Sequence, residues 1–129
     1  AGAGMNAQTI RLNTVASNLA NAGTAAENPE SAYRALKPVF ATIYDSTQQG
    51  AIGASIEVSD IVQADAPLDM RYEPNHPFAN EQGYVAYSNV NTIEEMADMM
   101  AASRSFETSV EIMNRARSMQ QGLLQLGNK

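Results

Sequence analysis

Apolar residues recur at heptad spacing at both ends of the chain, and the period changes between them. Over Asn91–Gly127, Met99, Phe106 and Met113 form one line seven residues apart. Met96, Val110 and Leu124 form the adjacent line, interrupted by Ser103 and Arg117. This pattern predicts one long helix with a seam made to meet another helix. Thr92 with Glu95 three residues on reads as a capping box. Glu94, Glu95 and Asp98 place negative charge at the positive end of the helix dipole. Arg115 and Arg117 lie toward the other end, and Gly127 is a natural stop. At 1.5 Å per residue the helix is about 50 Å long. A chain this small cannot bury both ends of it, so the seam needs a partner helix from this chain or another subunit.

Residues 1–22 carry a second heptad pattern. Met5, Leu12 and Leu19 are seven apart, and Val15 and Ala22 share a companion line with Gln8. A helix ending before Gly23 is predicted, with a narrow stripe rich in Ala, Asn and Gln. So little apolar surface leaves a helix of this length marginal alone in water. Two heptad helices at the two ends of one chain imply that the ends pack together, antiparallel. The helical pattern is already running at Ala1, which predicts residues before it.

The middle has a period of two. Residues 23–31 are polar, contain Pro29, and read as a loop. Val39–Tyr44 alternates as a strand does, and Asp45–Gly53 reads as a turn or hairpin tip. Ser55–Val62 is a second strand, with Ile56 and Val58 in phase and Ile61 out of phase, which predicts a bulge near Ser59–Asp60. Pro67, Pro74 and Pro77 make the next stretch irregular, and Tyr84–Tyr87 reads as a short strand leading into the long helix. The fold class is therefore α+β. Residues 1–24 and 90–129 would form a helical core domain in a coiled-coil layer, and residues 25–89 a small, irregular β-rich region.

Composition narrows the function classes. The 129 residues are 44% hydrophobic and 17% charged, a globular rather than disordered balance. The net charge of −6, with no clustered basic patch, argues against nucleic acid. No apolar run has the length of a membrane span, and no segment has the order of a cleaved signal peptide. The chain has no cysteine, which excludes disulfides and thiolate metal sites.

The chemistry-bearing residues read as structural. Glu94 and Asp98 are i, i+4, but first-turn dipole complementarity accounts for them. Glu107 and Glu111, flanked by Arg104 and Arg115, read as a solvated ion-pair ladder. His76 is the only histidine and sits in the rigid turn Pro74-Asn75-His76-Pro77, with no Cys or second His beside it. No catalytic residue, metal site or cofactor is predicted.

Three stretches carry a family resemblance. Arg11-Leu12-Asn13-Thr14-Val15-Ala16-Ser17-Asn18-Leu19-Ala20-Asn21-Ala22-Gly23-Thr24 resembles the amino-terminal signature of bacterial flagellar rod and hook proteins. Tyr72-Glu73-Pro74-Asn75-His76-Pro77-Phe78-Ala79 is followed by Gly83-Tyr84-Val85. Asn89-Val90-Asn91, then Glu95-Met96, Met99, Ala102-Ser103-Arg104-Ser105-Phe106-Glu107, Val110 and Met119 resemble the family's carboxy-terminal helix. The motifs span nearly the whole chain in the family's order, and its short length resembles a proximal rod subunit. Glu73 and Asn75 stand where the family often has Asp and Gly, and Phe106 where it often has Tyr.

The resemblance implies a structural subunit of a hollow, periplasm-crossing rod that carries torque. It implies export through the flagellar type III apparatus without a cleaved signal peptide. The implied partners are copies of the chain, other rod subunits, and motor-ring and rod-adaptor proteins; membrane insertion is not implied. The subunit-interface residues expected are Leu12, Val15, Asn18, Leu19, Asn21, Met96, Met99, Arg104, Phe106, Val110, Met113 and Leu124. Asn18 and Asn21 share a helix side beside the seam, where amides can fix register between helices. The alternatives are another short proximal rod subunit, or a helical module whose Met-rich face binds a client peptide.

Overall fold

A computed structural model describes residues 2–44 and 54–127. Helix α1 (Gly2–Ala20) and helix α2 (Thr92–Gly127) bracket five strands: β1 (Ala25–Ala26), β2 (Leu36–Tyr44), β3 (Ala54–Gln63), β4 (Asp69–Tyr72) and β5 (Tyr84–Tyr87). The α+β class and both terminal helices are as the sequence predicts.

The helix ends differ in detail from expectation. Asn91, not Thr92, caps α2: its Oδ1 accepts from the N–H groups of Ile93 and Glu94, at 3.1 and 3.2 Å. The short Asn side chain reaches donors two and three residues on without strain, which is the usual N-cap geometry. Thr92 becomes the first helical residue, and Glu95 is buried rather than turned back to a cap. At the end of α1, Asn21 Nδ2 donates to the Ser17 carbonyl at 2.9 Å, and Thr24 Oγ1 donates to Asn21 O at 2.8 Å. These side chains satisfy carbonyls that the helix leaves free. Gly23 terminates nothing by a left-handed turn, since among the described residues only Gly83 has positive φ.

β2 and β3 form an antiparallel hairpin. Val39 pairs with Asp60 and Phe40 with Val58, so Ser59 is an extra residue, the bulge that the phase of Ile61 predicts. Ser59 Oγ donates to Val39 O at 3.1 Å across it. The extra residue returns Ile61 to the face that carries Phe40 and Val58. β2 starts at Leu36, three residues earlier than Val39, and includes Pro38. A two-stranded sheet has only edges, so a proline is tolerated there. The predicted tip, Asp45–Gly53, lies outside the described residues.

The second sheet has the order β1–β5–β4, all antiparallel. β4 lies in the stretch expected to be irregular. Its four residues are exposed and show no alternation; pairing with β5 makes them a strand. β1 likewise lies inside the predicted loop, followed by a short 3-10 turn, Pro29–Ser31, capped by Asn28. Gly83, at φ 88°, makes the turn before β5; a Cβ there would stand 2.8 Å from the Tyr72 ring.

Two ties fix how the helices run. Ser88 Oγ donates to Ala22 O at 2.7 Å, and Arg11 Nη2 lies 3.4 Å from Asp98 Oδ1. Eleven residues back from Ala22 to Arg11 correspond to ten forward from Ser88 to Asp98, so the helices are antiparallel. Ala7, Val15 and Ala102 are buried between the elements, and Val85 is fully buried in the central strand β5. The core is small. The chain exposes 9293 Å² for 13.8 kDa, whereas a folded monomer of that mass exposes about 6,600 Å².

Candidate assembly surface

Helix α2 has 36 residues and α1 has 19, about 54 and 28 Å long. The seam is therefore only half covered. On α2, Glu95 and Ala102 are buried, and Met99, Ser103, Phe106, Ser109 and Val110 are half-buried. From Glu111 to Gly127 every residue is exposed. Ile112, Met113, Met119, Leu123, Leu124 and Leu126 are between 42% and 70% exposed. Met113 and Leu124 continue the covered stripe. Ile112, Met119, Leu123 and Leu126 define a second stripe on the flank, a face that the heptad reading did not separate.

The expected interface residues thus fall into two groups. Val15 is buried and Leu12, Leu19, Asn21, Met99, Phe106 and Val110 are half-buried, next to the covered part of the seam. Met96, Arg104, Met113 and Leu124 are exposed. Asn18 stands apart. It is 1% exposed, and its hydrogen bonds go to its own chain. Oδ1 accepts from Tyr33 Oη at 2.8 Å and from Leu36 N at 2.9 Å, while Nδ2 donates to Leu36 O at 2.9 Å. The amide acts as a strand partner for Leu36 and holds the start of β2 on α1. Asn21 serves the helix end described above. Within the single chain, Asn18 is thus a clamp and Asn21 a cap.

A second amide clamp mirrors the first. Asn89 Oδ1 accepts from Ala35 N at 2.7 Å, and its Nδ2 donates to the carbonyls of Ala64 and Ala66. Arg34 Nη1 reaches the same two carbonyls. Asn89 therefore ties the approach to α2 to the residues that flank the open end of the hairpin. Its place in the carboxy-terminal signature was legible, but its job was not, because its partners are distant backbone groups.

The remaining polar groups behave structurally. His76 Nδ1 accepts from the Phe78 N–H at 3.0 Å, closing the Pro-flanked turn. Tyr87 donates its hydroxyl to Glu73, and Arg71 lies over the Tyr87 ring at 4.2 Å while pairing with Asp69 at 2.9 Å. The Glu73 hydrogen bond holds the Tyr87 phenol above its ordinary range. Arg115 pairs with Glu111 at 2.7 Å, one rung of the predicted ladder. Among the described residues there is no group of three or more potential metal ligands, and no helix is long and apolar enough to cross a membrane.

Paired terminal helices on a small β body, with half of the longer helix uncovered, define a subunit that other molecules complete. Residues 1–25 match the family described as flagella basal body rod protein, and residues 81–126 match the carboxy-terminal family described as flagellar basal body rod FlgEFG protein. The chain is 39% identical to flagellar basal-body rod protein FlgC of Escherichia coli O157:H7 over 127 residues, 98% of this chain and 92% of that one. The same values hold for FlgC of Salmonella typhimurium strain LT2. FlgC of Borreliella burgdorferi is 33% identical over 134 aligned residues, covering 92% of this chain and 88% of its own. The chain belongs to the FlgC family of flagellar basal-body rod proteins, and it is a structural subunit of the proximal rod.

Proposed function

We propose that the chain builds a hollow, helically assembled proximal rod that crosses the periplasm and transmits torque, and that it does so without catalysing a reaction. Residues 1–24 and 90–129 form the rod core in a coiled-coil layer, and residues 25–89 form the small β-rich middle region. Leu12, Leu19, Met96, Met99, Arg104, Phe106, Val110, Met113 and Leu124 face neighbouring subunits or the helix that completes the seam. Copies of the chain, other rod subunits, and motor-ring and rod-adaptor proteins are the partners. The chain reaches its place through the flagellar type III export apparatus, without a cleaved signal peptide.

The observation that carries this reading is the bare half of α2. Seventeen consecutive exposed residues with six large apolar side chains are unstable as a free helix, and a subunit assembly covers them. The surface in excess of a compact monomer, about 2,700 Å², is of the size that obligate assemblies bury. Open helical assembly uses heterologous contacts, which need no symmetric patch.

The test is Phe106→Asp in a strain lacking the native protein. Phe106 is half-buried at the edge of the covered seam, and a carboxylate enclosed there by a neighbour costs several kcal/mol. The variant is expressed and exported but yields no complete basal bodies in electron micrographs. Normal swimming of that strain would reject the assembly role of the seam.

A further inference from the structure

On the seam face of α2 two charges lack partners among the described residues, and they are opposite in sign. Glu95 is 7% exposed, and its Oε2 is buried with no hydrogen-bond partner. A carboxylate taken out of water is stable only when paired. It lines a cleft of about 370 Å³ between α1, the start of β2 and the first turns of α2, with Arg11, Thr14, Leu36, Phe40 and Asp98 on its walls. Two cations also line the cleft: Arg11, which pairs with Asp98 at 3.4 Å, and Lys37, which forms no ion pair among the described residues. Arg117 is exposed on the bare half of α2 and forms no ion pair among the described residues. It interrupts the apolar line that runs from Val110 to Leu124, so covering the seam would bury it too.

The spacing of these charges matches the length of α1. Glu95 and Asp98 lie 22 and 19 residues before Arg117, about 33 and 28 Å along the helix. Helix α1 itself is about 28 Å long. A second copy rotated about the seam, so that its α1 follows the first α1 end to end while its own α2 clears the first one, is displaced along the axis by that distance. Its residues 95–98 then stand level with Arg117 of the first copy. At 100° per residue, Glu95 and Arg117 differ by only about 40° around the helix, so both face the seam.

We propose that Arg117 of one copy enters the α1–β2–α2 cleft of the next copy and pairs with Glu95, setting the axial register of the assembly. The occupant is a second copy of this chain, and the inference rests on the assembly reading above. The contact is heterologous: each copy offers Arg117 at one end and Glu95 at the other. The monomer carries an unpaired buried carboxylate, and the assembly supplies its counter-ion.

The chain has no cysteine, so disulfide trapping has no background. Met96→Cys with Ser118→Cys in one chain keeps Glu95, Asp98 and Arg117 and puts the two thiols about 33 Å apart within a copy, far beyond disulfide reach. A bond between them is therefore between copies. Basal bodies assembled from this variant and then oxidised give a ladder of cross-linked chains. Rods that form normally without a 96–118 cross-link would overturn the contact and leave the rod role standing. A wild-type chain that never enters rods would overturn both. In parallel, Glu95→Gln and Arg117→Gln each lower rod number by about tenfold or more, and the double variant is no worse than either. Neither lowers the melting temperature of the purified monomer. Additive losses, or a loss on Lys37→Gln with none on Arg117→Gln, would assign the Glu95 partner elsewhere and overturn the pairing.

Discussion

At the scale of single residues, the buried amides decide more than the seam side chains do. Asn18 satisfies both main-chain groups of Leu36 and the hydroxyl of Tyr33. Replacing it by Leu leaves those groups enclosed and unpaired, at about 1–3 kcal/mol for each fully buried one. Asn18→Leu is therefore expected to lower the melting temperature of the monomer, in contrast to the stronger helix association expected of a surface seam position. Thermal unfolding by circular dichroism reads the difference; an unchanged or raised midpoint would show that Leu36 finds another partner. Tyr87 gives a pH prediction. Its phenol is raised in the folded chain, first by the hydrogen bond to Glu73. A raised folded value means that the stabilisation is fully present below the ordinary phenol range near pH 10 and is lost as pH rises through the folded value. Denaturation midpoints should fall more steeply above about pH 10 in the wild type than in Tyr87→Phe, and the variant should be the less stable of the two at neutral pH.

At the scale of elements, α2 is one helix with two environments. Residues 92–110 lie against α1, and residues 111–127 are exposed throughout. Seventeen residues of helix without a packed face are marginal in water. In the isolated chain their amides should therefore exchange within a few minutes, while those of β5 and residues 99–106 remain protected. In assembled rods the same amides should become protected. Hydrogen exchange measured on both forms checks this, and equal protection at residues 111–127 in the two would mean that assembly does not cover them. The hairpin shows how one residue can serve a whole element. The bulge at Ser59 shifts the pairing by one, so Ile61 shares a face with Phe40 and Val58 instead of pointing away.

At the scale of the whole molecule, the chain exposes about 2,700 Å² more than a compact protein of its mass. Its stability is then coupled to association. Anything that binds the folded form alone raises the apparent melting temperature with concentration. The subunit in rods should melt well above the purified monomer, and the monomer midpoint should rise with protein concentration once oligomers form. Differential scanning calorimetry over a hundredfold concentration range tests this; a midpoint independent of concentration in both states would show that the excess surface is not closed by association.

The sequence by itself determined the local elements and the family. Heptad spacing placed both terminal helices within two residues, alternation placed the hairpin and β5, and the phase slip at Ile61 located the bulge. These features depend on neighbours along the chain, whose geometry the side-chain period fixes. The three signature stretches carried the rod resemblance for the same reason, since they are contiguous. Only the tertiary structure decided what depends on distant partners. β4 is a strand because β5 lies beside it, although its own residues show no alternation. Asn18 is a clamp because Leu36 comes within 2.9 Å from 18 residues away. Asn91 caps α2 in place of Thr92 because its amide, one position earlier, meets the first free N–H groups. The heptad showed which face of α2 needs covering; the length of α1 decided that its own chain covers only half.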